Sequence, residues 1–363
     1  MKKKINLFEP TTGVDEKYAL AQVLKSGFWA SGSGSGNVLK FEKNFNKYIG
    51  SDYCGTVNNG TSALQIAVSL FDVKHKEILV PSLSFVSTAN AALYNNAKPI
   101  FVDVDPSTLC IDPEKLKKSI SKKTKMILPV HFGGLPSNLK IIGDICKENN
   151  IILVEDAAHA VGAKFNGKKI GAHSSAVCFS FHPVKNLAMP NGGAITFNGK
   201  NSKKNYELTK IKRWCGISNR NNGKYDISDL GWNAYLNEFS ASIGLVQLKK
   251  LNIMNEKRQK IAKRYSNEIN LENKMPFDKN CSYHLFWVRV KDRNSFRKKM
   301  ASKGIETGIH YQPIHRMKLY SSTQKLPITD EVGSTIVSLP MHANLSNLDV
   351  DRIIKFSNEF SNR

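Results

Sequence analysis

The sequence predicts an α/β protein: a three-layer α-β-α domain around a mostly parallel sheet, followed by a smaller C-terminal α/β domain. Three observations carry this expectation. Short apolar runs ending at turn residues alternate with helical stretches through the first half of the chain. After roughly residue 240 the pattern changes to one long helical stretch followed by a shorter strand and helix alternation. The length of 363 residues exceeds what one hydrophobic core usually supports. Residues 1–240, including an N-terminal arm, are therefore assigned to the large domain and residues 241–363 to the small one.

The chain opens with MKKKINLFEP, whose basic residues have no apolar run behind them. No signal peptide is expected, and no segment is long and apolar enough to span a bilayer. Ser31-Gly-Ser-Gly-Ser-Gly-Asn37 has its glycines at G-x-G-x-G spacing. A dinucleotide fingerprint needs a different spacing, a strand before it and a helix after it. The segment is read instead as a mobile loop, with Gly32, Gly34 and Gly36 letting it close over a substrate. A β-run at 53–57 leads through Asn58-Asn-Gly-Thr-Ser62 into helical spacing at 61–71. Runs at 77–80, 99–104, 126–130 and 151–154 are expected as buried strands, with helices at 113–120 and 139–149 between them. Beyond this sheet, 236–253 is expected as a helix continuing towards 270, 284–290 as a strand and 295–303 as a helix. A strand at 305–311 and a closing amphipathic helix at 349–360 complete the chain.

Composition narrows the function. Hydrophobic residues at 41% and charged residues at 23% belong to an ordinary soluble globular chain. Cys54, Cys110, Cys146, Cys178, Cys215 and Cys281 are scattered without a C-x-x-C pair. They are read as reduced thiols, which places the protein in the cytoplasm. His310 and His315 are too far apart for a helical metal pair and no H-E-x-x-H occurs, so no metal is expected. The net charge of 53 − 30 = +23 is unusual. Its lysines and arginines are spread along the chain without an RNA-binding aromatic signature or helix-turn-helix pattern. No nucleic-acid partner is expected; preference for an anionic small substrate is the milder reading.

Chemistry concentrates around FSFHPVKNLAMPNGG, residues 179–193, where Lys185 stands among apolar and small residues. Desolvation lowers the pKa of an ammonium and frees a nucleophilic amine. Upstream, Asn59-Gly60-Thr61-Ser62 ends a β-run and opens a helix, which exposes backbone N–H groups beside the Thr61 and Ser62 hydroxyls and suits a phosphate. As a plain alternative, Thr61 or Ser62 is a helix cap. Asp156 ends an apolar strand at the ligand-binding edge of the sheet, where a carboxylate could keep a pyridine nitrogen protonated. Phe85, after another strand, could stack on a planar ring, and Ser180 could add a hydroxyl to the phosphate site. Together these are the parts that pyridoxal 5′-phosphate requires.

At these residues the chain resembles the DegT/StrS-type sugar aminotransferases, which have the fold-type I aspartate aminotransferase architecture. The resemblance runs from Ile5-Asn-Leu-Phe-Glu-Pro10 to Ser338-Leu-Pro-Met-His342 and the last helix. Its most specific pieces are Pro99-Ile-Phe-Val-Asp-Val-Asp105, Leu128-Pro-Val-His131, Glu155-Asp-Ala-Ala-His-Ala160 and Ser180-Phe-His-Pro-Val-Lys-Asn186. Gly231-Trp-Asn233 and Gly308-Ile-His-Tyr311 add to it. The resemblance implies that Lys185 carries the cofactor as a Schiff base and later moves the proton, and that Asp156 pairs with the pyridine nitrogen. It also implies that His159 contacts the ring hydroxyl, that Phe85 stacks on the ring, and that Gly60, Thr61, Ser62 and Ser180 hold the phosphate. Asn233 would reach the phosphate of a neighbouring subunit, so a homodimer with shared active sites is expected. Some relatives carry His in place of this lysine and act as sugar dehydratases; Lys185 argues against that branch.

The activity implied is transfer of an amino group from an amino acid, glutamate in the first instance, to a ketone on a nucleotide-linked sugar. It would pass through the pyridoxamine form of the cofactor and serve amino-sugar biosynthesis for surface polysaccharide or glycoconjugate. Two departures stand beside active-site positions. Met189-Pro-Asn-Gly-Gly193 replaces the usual Thr-Gly-Glu-Gly-Gly, and Asn233-Ala-Tyr-Leu236 replaces Asn-Tyr-Arg-Met. They keep open a cyclitol or other non-nucleotide carbonyl substrate. Reuse of the fold for signalling keeps open a non-catalytic cofactor-binding regulator.

Overall fold

The computed structural model describes residues 4–361 and has at its centre a seven-stranded sheet. In chain order its strands are β1 (Tyr53–Val57), β2 (Glu77–Pro81), β3 (Lys98–Val102), β4 (Thr124–Ile127), β5 (Ile152–Asp156), β6 (Ala176–Ser180) and β7 (Gly193–Phe197). The spatial order is β1-β7-β6-β5-β4-β2-β3. All neighbours pair in parallel except β7, which runs antiparallel between β6 and β1. Side chains alternate between faces as the pleat requires. Ile78 and Val80 of β2, with Ala176 and Cys178 of β6, pack into one apolar cluster together with the helices Gly60–Ser69 and Ser87–Tyr94. Leu79 of β2 points the other way, towards the helices Pro113–Ser119 and Leu139–Glu148. Val177 and Phe179 of β6 likewise face the helix Gly36–Ile49. The sheet is thus covered on both faces, the three-layer arrangement expected of near-continuous apolar strands.

Short polar residues start the helices where the sequence places them. Asp112 accepts from the N–H groups of Glu114 and Lys115, with Pro113 in the first turn, and Asn138 caps Ile141 in the same way. Asn237 accepts from Ser240 at the head of the helix Glu238–Glu268, and Asp292 from Ser295 at the head of Arg293–Ser302. The C-terminal part packs these two helices and Asn347–Ser361 on an antiparallel pair, Phe286–Arg289 with Ile336–Leu339. Ile5 pairs with Ile305, so the N-terminal arm lies along this part. The strand expected at 305–311 does not form. Ile305 and Gly308 make isolated bridges only, and the chain then turns His310 and Tyr311 into a cavity at the sheet's edge.

The glycine segment at 31–36 also differs from its expectation. An added Cβ would come within 2.2 Å of the Trp214 ring at Gly32, 2.0 Å of Arg213 at Gly34 and 2.8 Å of Glu238 at Gly36. These glycines serve close approach rather than freedom of movement. Glu238 accepts from the N–H groups of Asn37 (2.7 Å) and Val38 (3.2 Å), which ties the segment's end to the long helix. Arg213 anchors the segment's middle by donating to the Ser33 carbonyl at 3.3 Å. Fully buried, it also meets Glu42 at 2.5 Å and the Thr56 carbonyl of β1 at 2.7 Å. Glu42 in turn accepts from the N–H and the hydroxyl of Thr56.

Removing one partner of such a pair strands the other charge in the interior. Glu42→Ala is expected to cost about 3–5 kcal/mol, read as a lower denaturant midpoint in equilibrium unfolding.

Candidate active site

β5 is apolar up to Val154 and then places adjacent carboxylates on opposite faces of the sheet. Glu155 turns inward. It meets His131 Nε2 at 2.8 Å and the Ser174 hydroxyl at 2.5 Å, and all three side chains are buried. Asp156 turns towards the cavity beyond the strand ends. Its Oδ2 accepts from the Thr88 hydroxyl at 2.7 Å and its Oδ1 from the Ala158 N–H at 3.1 Å. Ser84 supports Thr88 at 2.8 Å. Burial raises the Asp156 pKa, while Thr88, Ala158 and the charge of Lys185 act against that rise. Cys178 lies beside Asp156 in register on β6, and burial pushes its thiol well above the ordinary range.

Lys185 sits on the loop between β6 and β7. That loop is closed by Phe181 N–H to Gly192 O and Met189 N–H to Phe181 O, each at 2.8 Å. Its Nζ lies 3.3 Å from His284 Nε2. Desolvation pulls the Lys185 pKa down to about 8, and Asp156 opposes this. Burial likewise lowers His159 and His284 well below the usual imidazole value, and His310 to about 4, with Lys185 adding to each shift. These imidazoles are therefore neutral near pH 7. His159 accepts the Gly133 N–H at Nδ1 (3.3 Å), which puts its proton on Nε2, 3.1 Å from the Tyr311 hydroxyl.

Facing Lys185 is the first turn of the Gly60–Ser69 helix. Asn59 satisfies the N–H groups of Ser62 and Ala63, which leaves those of Gly60 and Thr61 directed beyond the helix end. The backbones approach closely here. A Cβ on Gly60 would lie 2.7 Å from the Ser180 Cβ, and one on Gly193 would lie 2.5 Å from the Asn59 carbonyl oxygen. This explains Gly193, the first residue of β7. The Thr61 hydroxyl meets Ser87 at 2.7 Å, joining two helix starts.

A cavity of about 350 Å³ brings together Gly60, Thr61, Phe85, Asp156, His159, Ser180 and Lys185. Ser62 is not among its lining residues, and its N–H is taken by the Asn59 side chain. Asn233 is exposed and stands apart from the cavity. Met189, in the stretch that departs from the family pattern, is 2% exposed and packs beneath Gly192 and Gly244, while Pro190 and Asn191 face solvent. The departure at Met189 is thus a change in the core and not in the cavity wall. Sequence reasoning missed Thr88, Ser84, Ser87, His284 and the lining role of His310 and Tyr311. Thr88 and Ser84 at i and i+4 beside Phe85 were a usable signal; His284 was hidden at the head of an apolar strand.

The sequence profile of the DegT/DnrJ/EryC1/StrS aminotransferase family matches residues 10–356. The chain belongs to that family. An uncharacterized protein of Methanocaldococcus jannaschii, MJ1066, is 30% identical over 369 residues, covering 96% of this chain and 95% of the relative. Among solved structures, Helicobacter pylori PseC, an aminotransferase involved in the biosynthesis of pseudoaminic acid, superposes with a TM-score of 0.93. It shares 27% identity, over 99% of this chain and 100% of PseC. DesV of S. venezuelae, solved with a ketimine intermediate, gives 0.92 at 28% identity over 100% of both chains. The protein is a pyridoxal 5′-phosphate-dependent aminotransferase of this family. The cavity fits that group. It offers an anion cradle that a Cβ on Gly60 or Gly193 would fill, a buried carboxylate and a desolvated amine.

A lysine whose folded pKa is about 8 rather than 10.5 is destabilising wherever it must stay protonated. The cost is on the order of 3 kcal/mol below pH 8 and fades as pH rises towards the unfolded value. In cofactor-free protein, Lys185→Met should raise the thermal midpoint at pH 7, and the gain should narrow towards pH 10.

Proposed function

We propose that this aminotransferase moves an amino group from an amino acid, glutamate in the first instance, to a ketone on a nucleotide-linked sugar. The product would be an amino sugar for a surface polysaccharide or glycoconjugate. The observation that carries the catalytic part is the desolvated Lys185 amine in one cavity with the buried Asp156 carboxylate and the open helix start at Gly60. The sugar part rests on the family and on PseC, whose role lies in the biosynthesis of pseudoaminic acid.

When bound, pyridoxal phosphate supplies an electron sink conjugated to the amino-bearing carbon. The N–H groups of Gly60 and Thr61 and the Ser180 hydroxyl would hold its phosphate, where the helix dipole favours an anion. Asp156, anchored by Thr88 and Ala158, would hold a proton on the ring nitrogen. Both nitrogens of His159 are engaged inside the protein, so the face of its ring is what remains for the cofactor. Phe85, 56% exposed, closes the outer side of the cavity. Lys185 Nζ would take up the proton released from the donor's α-carbon, and in the second half-reaction would deliver one to the carbon that receives the amine. A pKa of about 8 lets it act as both acid and base near neutral pH.

Asn233 serves a second copy of the chain. Exposed and not among the lining residues of its own cavity, it is available to a partner's phosphate site. Exposed Phe28, Trp29, Tyr225 and Leu230 provide apolar surface for such a dimer.

The decisive assay incubates holoenzyme with glutamate and then with a panel of nucleotide keto-sugars, following cofactor absorbance between its aldehyde and amine forms. Glutamate should convert the wild-type spectrum, and one or more keto-sugars should reverse it with release of an amino sugar. Lys185→Ala should lose both changes by at least ~100-fold in rate. Conversion by cyclitol ketones alone would refute the nucleotide-sugar assignment, and an unchanged rate in Lys185→Ala would refute the role of the lysine.

A further inference from the structure

We propose that His284 is a positioning residue for the Lys185 amine, accepting its hydrogen bond at Nε2 and holding it over the cavity whenever the lysine is free. This rests on Lys185 being the cofactor lysine, and it adds a residue from a distant segment to the machinery.

The two segments are built against each other. Lys185 Nζ stands 3.3 Å from His284 Nε2, and the next residue, Asn186, donates to the Ser282 carbonyl at 2.7 Å and to Asn255 at 2.8 Å. A stretch about a hundred residues downstream in the chain is thus laid alongside the lysine by adjacent contacts. The His284 backbone is fixed as well: its N–H donates to the Gly133 carbonyl at 2.9 Å, and the preceding carbonyl of Tyr283 receives Arg258 at 3.3 Å. The ring is 2% exposed. Phe8 stacks on it with centroids 5.4 Å apart and planes 12° apart, and His159 lies 4.5 Å away by centroid.

His284 Nδ1 is buried and has no hydrogen-bond partner. Nε2 is therefore the ring's one directional contact, and it points at the lysine. An ammonium only donates, so a protonated Lys185 requires a lone pair at Nε2 and leaves the imidazole proton on Nδ1, where it is unpaired. A deprotonated Lys185 can instead accept from an Nε2–H, which relieves that unpaired buried donor. The tautomer of His284 and the protonation of Lys185 are coupled by this geometry. Facing the pair are Asp156, which favours the ammonium, the imidazoles of His159, His182 and His310, and Arg258 behind His284.

The test uses full-length, cofactor-free protein, so its failure is separable from failure of the transamination assay. In wild type labelled with 15N at histidine, the His284 ring resonances should exchange donor and acceptor character as pH rises through the Lys185 midpoint. Lys185→Met should abolish that change. Independently, the Lys185 midpoint is read from the pH dependence of its labelling by an amine-selective reagent, resolved by mass spectrometry. His284→Phe removes the acceptor that favours the ammonium and should lower the midpoint by about one pH unit. His284→Gln, which retains an amide oxygen at similar reach, should restore it. His284 resonances indifferent to Lys185→Met would overturn the proposal. So would an unchanged midpoint in His284→Phe, or a His284→Gln variant that behaves like His284→Phe. Should His284→Phe not fold, the comparison of wild type with Lys185→Met decides alone.

Discussion

Burial of the Asp156 carboxylate at the end of β5 is the constraint to which the rest of the site conforms. A carboxylate taken out of water must find donors or a cation nearby. Thr88 and the Ala158 N–H supply part of this, and Lys185 supplies a positive charge. To bring Thr88 there, the helix Ser87–Tyr94 must begin just above the strand ends, with Ser84 bracing its first turn. To bring Lys185 there, the chain must leave β6, loop and return antiparallel as β7. The returning strand presses Gly193 against the Asn59 carbonyl, so the same loop also fixes the open helix start at Gly60. One desolvated charge thus sets the positions of two helix starts and the only reversed strand in the sheet.

The parallel part of this architecture was legible because each buried strand is a short apolar run between turn residues. The helices were legible from period and from caps such as Asp112 and Asn138. Lys185, Asp156, Gly60, Thr61, Ser180 and Phe85 could be named because their types suit the chemistry and they stand where strands or turns end. What stayed hidden depends on contacts between segments far apart in the chain. His284 begins a strongly apolar run, and nothing local distinguishes it from a core residue of that strand. Residues 305–311 have the composition of a strand, yet they make only isolated bridges, Ile305 with Ile5 and Gly308 with Ser338, before the chain turns into the cavity. Gly32, Gly34 and Gly36 suggest mobility in one dimension. In three, each faces the side chain of Trp214, Arg213 or Glu238, and only the folded chain reveals those neighbours.

The long helix Glu238–Glu268 gives these distant contacts a common frame. Its first residue caps the Gly36–Ile49 helix, Asn255 bonds Asn186 beside the lysine, and Arg258 holds the carbonyls of Tyr283 and Met341. Residues that flank the site from the start, middle and end of the sequence therefore share one rigid support. Such support on a regular element keeps catalytic geometry within narrow limits.

Cys178 sits one strand away from the site, in register with Asp156. Five of the six thiols are buried, and burial pushes each of those five upwards, away from the thiolate form. Cys178 packs into the apolar cluster of the sheet and does not line the cavity, so within one strand's width the fold turns a sulfur into the core and leaves an amine, Lys185, facing the cavity.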